Sequence, residues 1–158
     1  MSLNIYGLII SIVIFIPNIL LLFLPPKVRV KHIRHKQIEI INRISSLGIN
    51  AFGLLTINNI GYKPYNIVFE SIWIILMVIL VILYYLCYFR YIFKGRKEEY
   101  LYNKVLIYCP ISILTSLIYL LSGILLFNPY VIIFSLMYTP ANIYIHYKKN
   151  FEWGCLWH

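Results

Sequence analysis

Long apolar runs, broken by short polar or proline-rich joints, set the rhythm of this chain. The first reads IYGLIISIVIFIPNILLLFLPPK from residue 5 onward, and comparable runs follow at about 38–60, 66–89, 104–127 and 130–147. The first run spans about 3–24. Each is close to the roughly 20 residues that an α-helix needs to cross hydrocarbon. Pro25 and Pro26 end the first, and Gly61, Lys63 and Pro64 form the joint before the third. Arg90, Lys94, Arg96, Lys97, Glu98 and Glu99 make a charged loop after the third, while Asn128–Pro129 turns the fourth tightly into the fifth. Residues 28–43, VRVKHIRHKQIEIINR, read as an interfacial stretch that becomes the second helix, with Glu39 and Arg43 paired one turn apart. The third run, IWIILMVILVILYYL, carries no charge and is expected to face lipid most. No basic residue precedes the first run and no small-residue cleavage site follows it, so it is expected to be retained as a helix.

Polar residues inside these runs recur at helical spacing. Asn4, Gly7, Ser11 and Asn18 are separated by 3, 4 and 7 residues, and Glu39, Arg43, Ser46, Asn50 and Gly53 by 4, 3, 4 and 3. Ser112, Ser116, Tyr119 and Gly123 in the fourth run, and Ser135, Thr139, Asn142 and His146 in the fifth, are each separated by 4, 3 and 4. Such steps place side chains on one helical face. Each stripe is therefore expected to turn inward, where it either packs helices together or lines a polar path. The candidate path-lining residues are Asn18, Asn50, Asn142, Ser116, Thr139 and Glu70. Pro17, beside Asn18, removes a backbone donor and frees a carbonyl one turn earlier.

Composition sharpens this reading. Of 158 residues 61% are hydrophobic and only 12% charged, and the mean hydropathy is +0.80. A soluble domain is closer to about 25% charged, so an integral membrane protein is the expectation. The net charge of +9 would suggest nucleic acid in a soluble chain, but no nucleic-acid module accompanies it. With five spans, 13 of the 14 basic residues fall on one side and only Lys63 on the other. The positive-inside rule then puts the N-terminus outside and the C-terminus in the cytoplasm. Lys27, Arg29, Lys31, Arg34, Arg96 and Lys97 are the expected contacts for anionic lipid headgroups. Tyrosines near the predicted ends, among them Tyr62, Tyr65, Tyr88, Tyr91 and Tyr130, are expected to anchor at the headgroup boundary.

Chemistry-bearing motifs are sparse. The chain has no Asp, no GxSxG, HExxH, P-loop or GxGxxG, and its three cysteines, Cys87, Cys109 and Cys155, have no metal or disulfide spacing. His32 and His35 form an HxxH without a third ligand. No catalytic residue, metal or cofactor is therefore assigned. Glu70 lies about one turn inside the third span, at the outer headgroup level or facing the bundle as a cation or proton site.

The combination of IYGLIISIVIFIPN, IEIINRISSLGINAFG and SGILLFNPYVIIFSLMYTPANIYIHYKKN is similar to a group of small, uncharacterised multi-pass membrane proteins in bacteria with AT-rich genomes. That resemblance implies one compact membrane domain and brings no activity with it. The expectation is an all-α bundle of five transmembrane helices over residues 1–149, with a short cytoplasmic tail at 150–158, in a bacterial cytoplasmic membrane. Its expected role is binding or assisting a lipid, a small ligand or a partner membrane protein, a second copy included. A small transporter or channel component is the alternative, and a lipid-modifying enzyme ranks third.

Overall fold

Asparagines start three of the helices, as their short side chains favour. The Asn4 side chain accepts from Gly7 N at 3.2 Å and opens α1, Ile5–Phe23. Asn66 accepts from Phe69 N at 3.0 Å and opens α3, Ile67–Phe93. Asn128 accepts from Val131 N at 3.2 Å and opens α5, Pro129–Gly154, with Pro129 at the first helical position where its missing N–H costs nothing. The remaining helices are α2, Lys36–Leu54, and α4, Ile111–Leu125. The structure, a computed structural model, describes residues 2–27, 36–57, 60–97 and 111–154, with side chains through Ile145 in the last of these. These five helices all lie within the described residues.

The second run departs from expectation. Its apolar pattern predicts helix to residue 60, but α2 stops at Leu54 and the chain becomes extended. Leu55–Thr56 (β2) pairs antiparallel with Ser2–Leu3 (β1), with Ser2 opposite Thr56. Ile57 and Ile60 then exchange both backbone hydrogen bonds at 2.9 Å, reversing the chain. The N-terminus thus supplies partners that end the helix. Apolar composition at 55–60 does not distinguish such a strand from one more helical turn.

The helices close into a ring: α1 packs on α2, α2 on α5, α5 on α4, α4 on α3, and α3 touches α1. Successive helices along the chain alternate in direction, so that the neighbours α1 and α3 run parallel. At one end Asn4 N donates to Leu54 O at 2.7 Å, Lys63 N to Leu126 O at 2.8 Å, and Asn128 Nδ2 to Phe52 O at 2.9 Å. At the other, Lys27 N donates to Arg96 O at 3.0 Å, tying the ends of α1 and α3. On the α2–α5 seam, Phe52 stacks on Tyr130 and Phe134 at 4.8 and 5.5 Å. Gly7 brings the α1 backbone against α2; a Cβ there would overlap the Gly53 carbonyl.

Two helices, α1 and α3, are long and apolar enough to span a membrane, which points to membrane association. The core helix of a soluble protein would be mostly covered, yet only 22% of the apolar window of α1 and 17% of that of α3 is buried. Leu22, Phe23, Ile75 and Phe93, for example, face outward. By contrast, α4 is enclosed by its neighbours, with Leu114, Ile118 and Ser122 at 1% exposure or less.

Candidate functional site

Side chains from all five helices meet around a cavity of about 220 Å³. The last turns of α1 contribute Ile14, Asn18 and Leu21, and α2 contributes Ser46. Tyr84 and Tyr88 come from α3, Tyr138 and Asn142 from α5. The first turns of α4 bring Ile111, Ser112, Thr115 and Tyr119. Because α1 and α3 end near this level and α4 begins there, the cavity lies toward the end of the ring that carries Lys27, Arg96 and Lys97. Its polar groups are amides and hydroxyls, and no Asp, Glu, Lys, Arg, His or Cys is among the described lining residues.

Asn18 lines one wall, and Pro17 beside it shapes the α1 backbone there. Without an N–H on Pro17, the Val13 carbonyl loses its donor within the helix. Tyr85 of α3 replaces it, donating from its hydroxyl to Val13 O at 3.1 Å. Asn18 donates from Nδ2 to Ile14 O at 3.0 Å and accepts from the Tyr88 hydroxyl at 2.9 Å. The Tyr84 and Tyr88 hydroxyls are 3.2 Å apart. With the Tyr88 proton committed to Asn18, the Tyr84 proton is shared between the Tyr88 oxygen and the Ile14 carbonyl, 3.4 Å away. The opposite wall is equally tied: Asn142 Nδ2 donates to Ser112 O at 3.1 Å and to Thr115 Oγ1 at 3.2 Å.

Asn18 and Asn142 therefore line the same cavity, while the other candidates lie elsewhere. Asn50 donates to Ser46 O at 2.8 Å and accepts from Ser11 at 3.4 Å, bridging α2 to α1. Ser116 and Thr139 return their hydroxyls to their own helices, to Ser112 O at 2.8 Å and Ser135 O at 2.7 Å. Glu70 sits in the first turn of α3, accepting from the Tyr6 hydroxyl at 2.6 Å. Fourteen residues of helix, ~21 Å, separate it from Tyr84. Lys27 and Lys97 are exposed and Arg96 is half-buried at the ends of α1 and α3. Arg29, Lys31, Arg34, His32, His35, Cys109 and Cys155 lie outside the described residues.

The tyrosine assignment needs correction. Tyr62, Tyr88 and Tyr91 are expected at the headgroup boundary but are 4%, 5% and 1% exposed. Tyr88 holds Asn18, and Tyr91 donates to Leu24 O at 2.8 Å. Tyr62, in the α2–α3 connection, is packed beneath the strand pair, and burial pushes its phenol up from its ordinary pKa. Tyr65 and Tyr130 are exposed, as anchors would be. The signal for the buried tyrosines of α3 is present in the chain: Tyr84, Tyr88 and Tyr91 are spaced 4 and 3 apart, the same step that marks the serine and asparagine stripes.

Compared with protein-family models, curated proteins and solved structures, the chain matches none.

Proposed function

We propose that this chain is a five-span membrane protein that holds a small ligand in its inter-helical cavity, reached from the basic, cytoplasmic end. The observation that carries the reading is the cavity itself, to which every helix contributes and whose lining is mostly polar. Polar groups cluster within a membrane bundle where something polar is to be met. The alternation of helix directions and the placement of 13 of 14 basic residues support five spans with the N-terminus outside. Reporters fused to the two termini are expected on opposite faces of the membrane; the same face for both would overturn the odd number of spans.

Binding is favoured over passage by what lies beyond the cavity. Toward the β1–β2 end, Trp73 Nε1 donates to Ser122 at 3.1 Å, and Ser122 contacts the Met77 sulfur at 3.5 Å. Tyr62 and Leu126 are buried farther along, and Asn4 Nδ2 donates to Tyr62 O at 2.9 Å and Thr56 at 3.2 Å. These layers leave a pocket with a floor. The reading is tested by purifying the protein in mild detergent, extracting it with solvent and identifying bound compounds by mass spectrometry. A compound should accompany the native chain and be depleted in Asn142→Leu of unchanged elution profile. Equal recovery from both, or none from either, overturns the binding role.

A further inference from the structure

We infer that the cavity takes an uncharged ring compound with a hydrogen-bonding edge, of the size of indole or a substituted phenol. The inference rests on the cavity reading above and names its ligand class. Three observations converge on it.

The first is hydrogen-bond accounting. Most polar groups in the lining are tied to protein partners, as described for Asn18, Tyr88, Asn142 and Thr115. Two hydroxyls are different: Ser46 and Ser112 have no hydrogen-bond partner for their side chains among the described residues. Ser112 is enclosed by its neighbours, 2% exposed, and lines the cavity. A ligand's hydroxyl or N–H in the cavity would give these two groups the partner that the described protein residues do not supply.

The second is charge. A charged ligand would enter a lining of neutral groups with no counter-ion, at a desolvation cost of several kcal/mol. A cation would in addition approach past Lys27, Arg43, Arg96 and Lys97. For an anion, none of the basic side chains reaches the described lining. The third is shape. Tyr84 and Tyr88 meet edge to face at 5.2 Å, as do Tyr119 and Tyr138 at 5.7 Å. With Ile14, Leu21 and Ile111 they give the cavity an apolar body. Its volume of about 220 Å³ is below the roughly 300–1,000 Å³ of sites for drug-sized ligands. One small ring system fills it.

The test compares three ring-bearing probes of different charge: indole, benzoate and benzyltrimethylammonium. Each is titrated into the full-length protein in detergent while the thermal unfolding midpoint is followed. Indole is expected to raise the midpoint and the two ions to leave it unchanged. The paired substitution Ser46→Ala with Ser112→Ala should weaken indole by about tenfold, the loss of one hydrogen bond, while the unliganded protein unfolds as before. A shift of equal size in native and substituted chains marks partitioning into the micelle and overturns the inference. Stabilisation by either ion in place of indole overturns the ligand class and leaves the cavity reading standing. No response to any probe also overturns it, and the copurification measurement then judges the cavity reading by itself.

Discussion

Replacing Gly7 with alanine is expected to destabilise the protein by about 3 kcal/mol, at the upper end of ordinary overpacking, and Gly7→Val to prevent a monodisperse fold altogether. A Cβ at residue 7 would overlap the Gly53 carbonyl and lie 3.0 Å from Leu54 N. Both are backbone atoms within the last turn of α2, so no side-chain rotation relieves the contact. The two helices must separate, and the neighbouring Asn4 N to Leu54 O bond and the β1–β2 pair separate with them. Gly95→Ala is the comparison. Gly95 has φ +84° and open space around its Cα, so alanine there costs only the left-handed backbone penalty of about 1–2 kcal/mol. Thermal unfolding of both variants in the same detergent reads the difference. Equal losses would mean that α1 and α2 do not approach backbone to backbone.

Tyr85→Phe is expected to cost about 1–3 kcal/mol, the penalty for leaving a carbonyl unpaired away from water. The Val13 carbonyl has no helical donor because residue 17 is proline, and the Tyr85 hydroxyl is what serves it. The same substitution made alongside Pro17→Ala should cost close to nothing, since an alanine in place of the proline restores a backbone N–H to the Val13 carbonyl. This coupling separates the proposed hydrogen bond from loss of packing, which would be the same in both backgrounds. Equal costs of Tyr85→Phe with and without Pro17 would remove Tyr85 from this role.

The helices are legible in the sequence because each carries an apolar run, and three of them an asparagine at the start. Asn66 and Asn128–Pro129 announce their helices in residue type alone. The end of α2 is not legible, since Leu55–Thr56 is extended only because Ser2–Leu3 lies beside it, a contact more than fifty residues distant in the chain. For the cavity, the period of the polar stripes points to Asn18 and Asn142. It equally points to Ser116 and Thr139, whose hydroxyls bond back to their own helices. Spacing fixes a face of a helix, and it does not say whether a hydroxyl on that face looks outward or back along its own backbone. The tyrosines are misplaced for a different reason. Tyrosine suits both a membrane boundary and a buried hydrogen bond to a helix carbonyl, and proximity to a run's end favours the former. For Tyr88 and Tyr91, only the partners on α1 and at its end, Asn18 and Leu24, show which applies.

The ring is closed by α2 against α5, its most extensive interface, and this has a consequence for biosynthesis. α2 pairs mainly with α5, a helix synthesised after α3 and α4. Until α5 emerges, the Phe52 carbonyl on α2 lacks the Asn128 amide that serves it in the finished protein, and the Phe52 ring lacks its stacking partners Tyr130 and Phe134. A chain truncated before α5 would leave that face of α2 uncovered and lack the cavity wall bearing Tyr138 and Asn142. The ring and the cavity are therefore completed in one step, when α5 docks against α2 and α4.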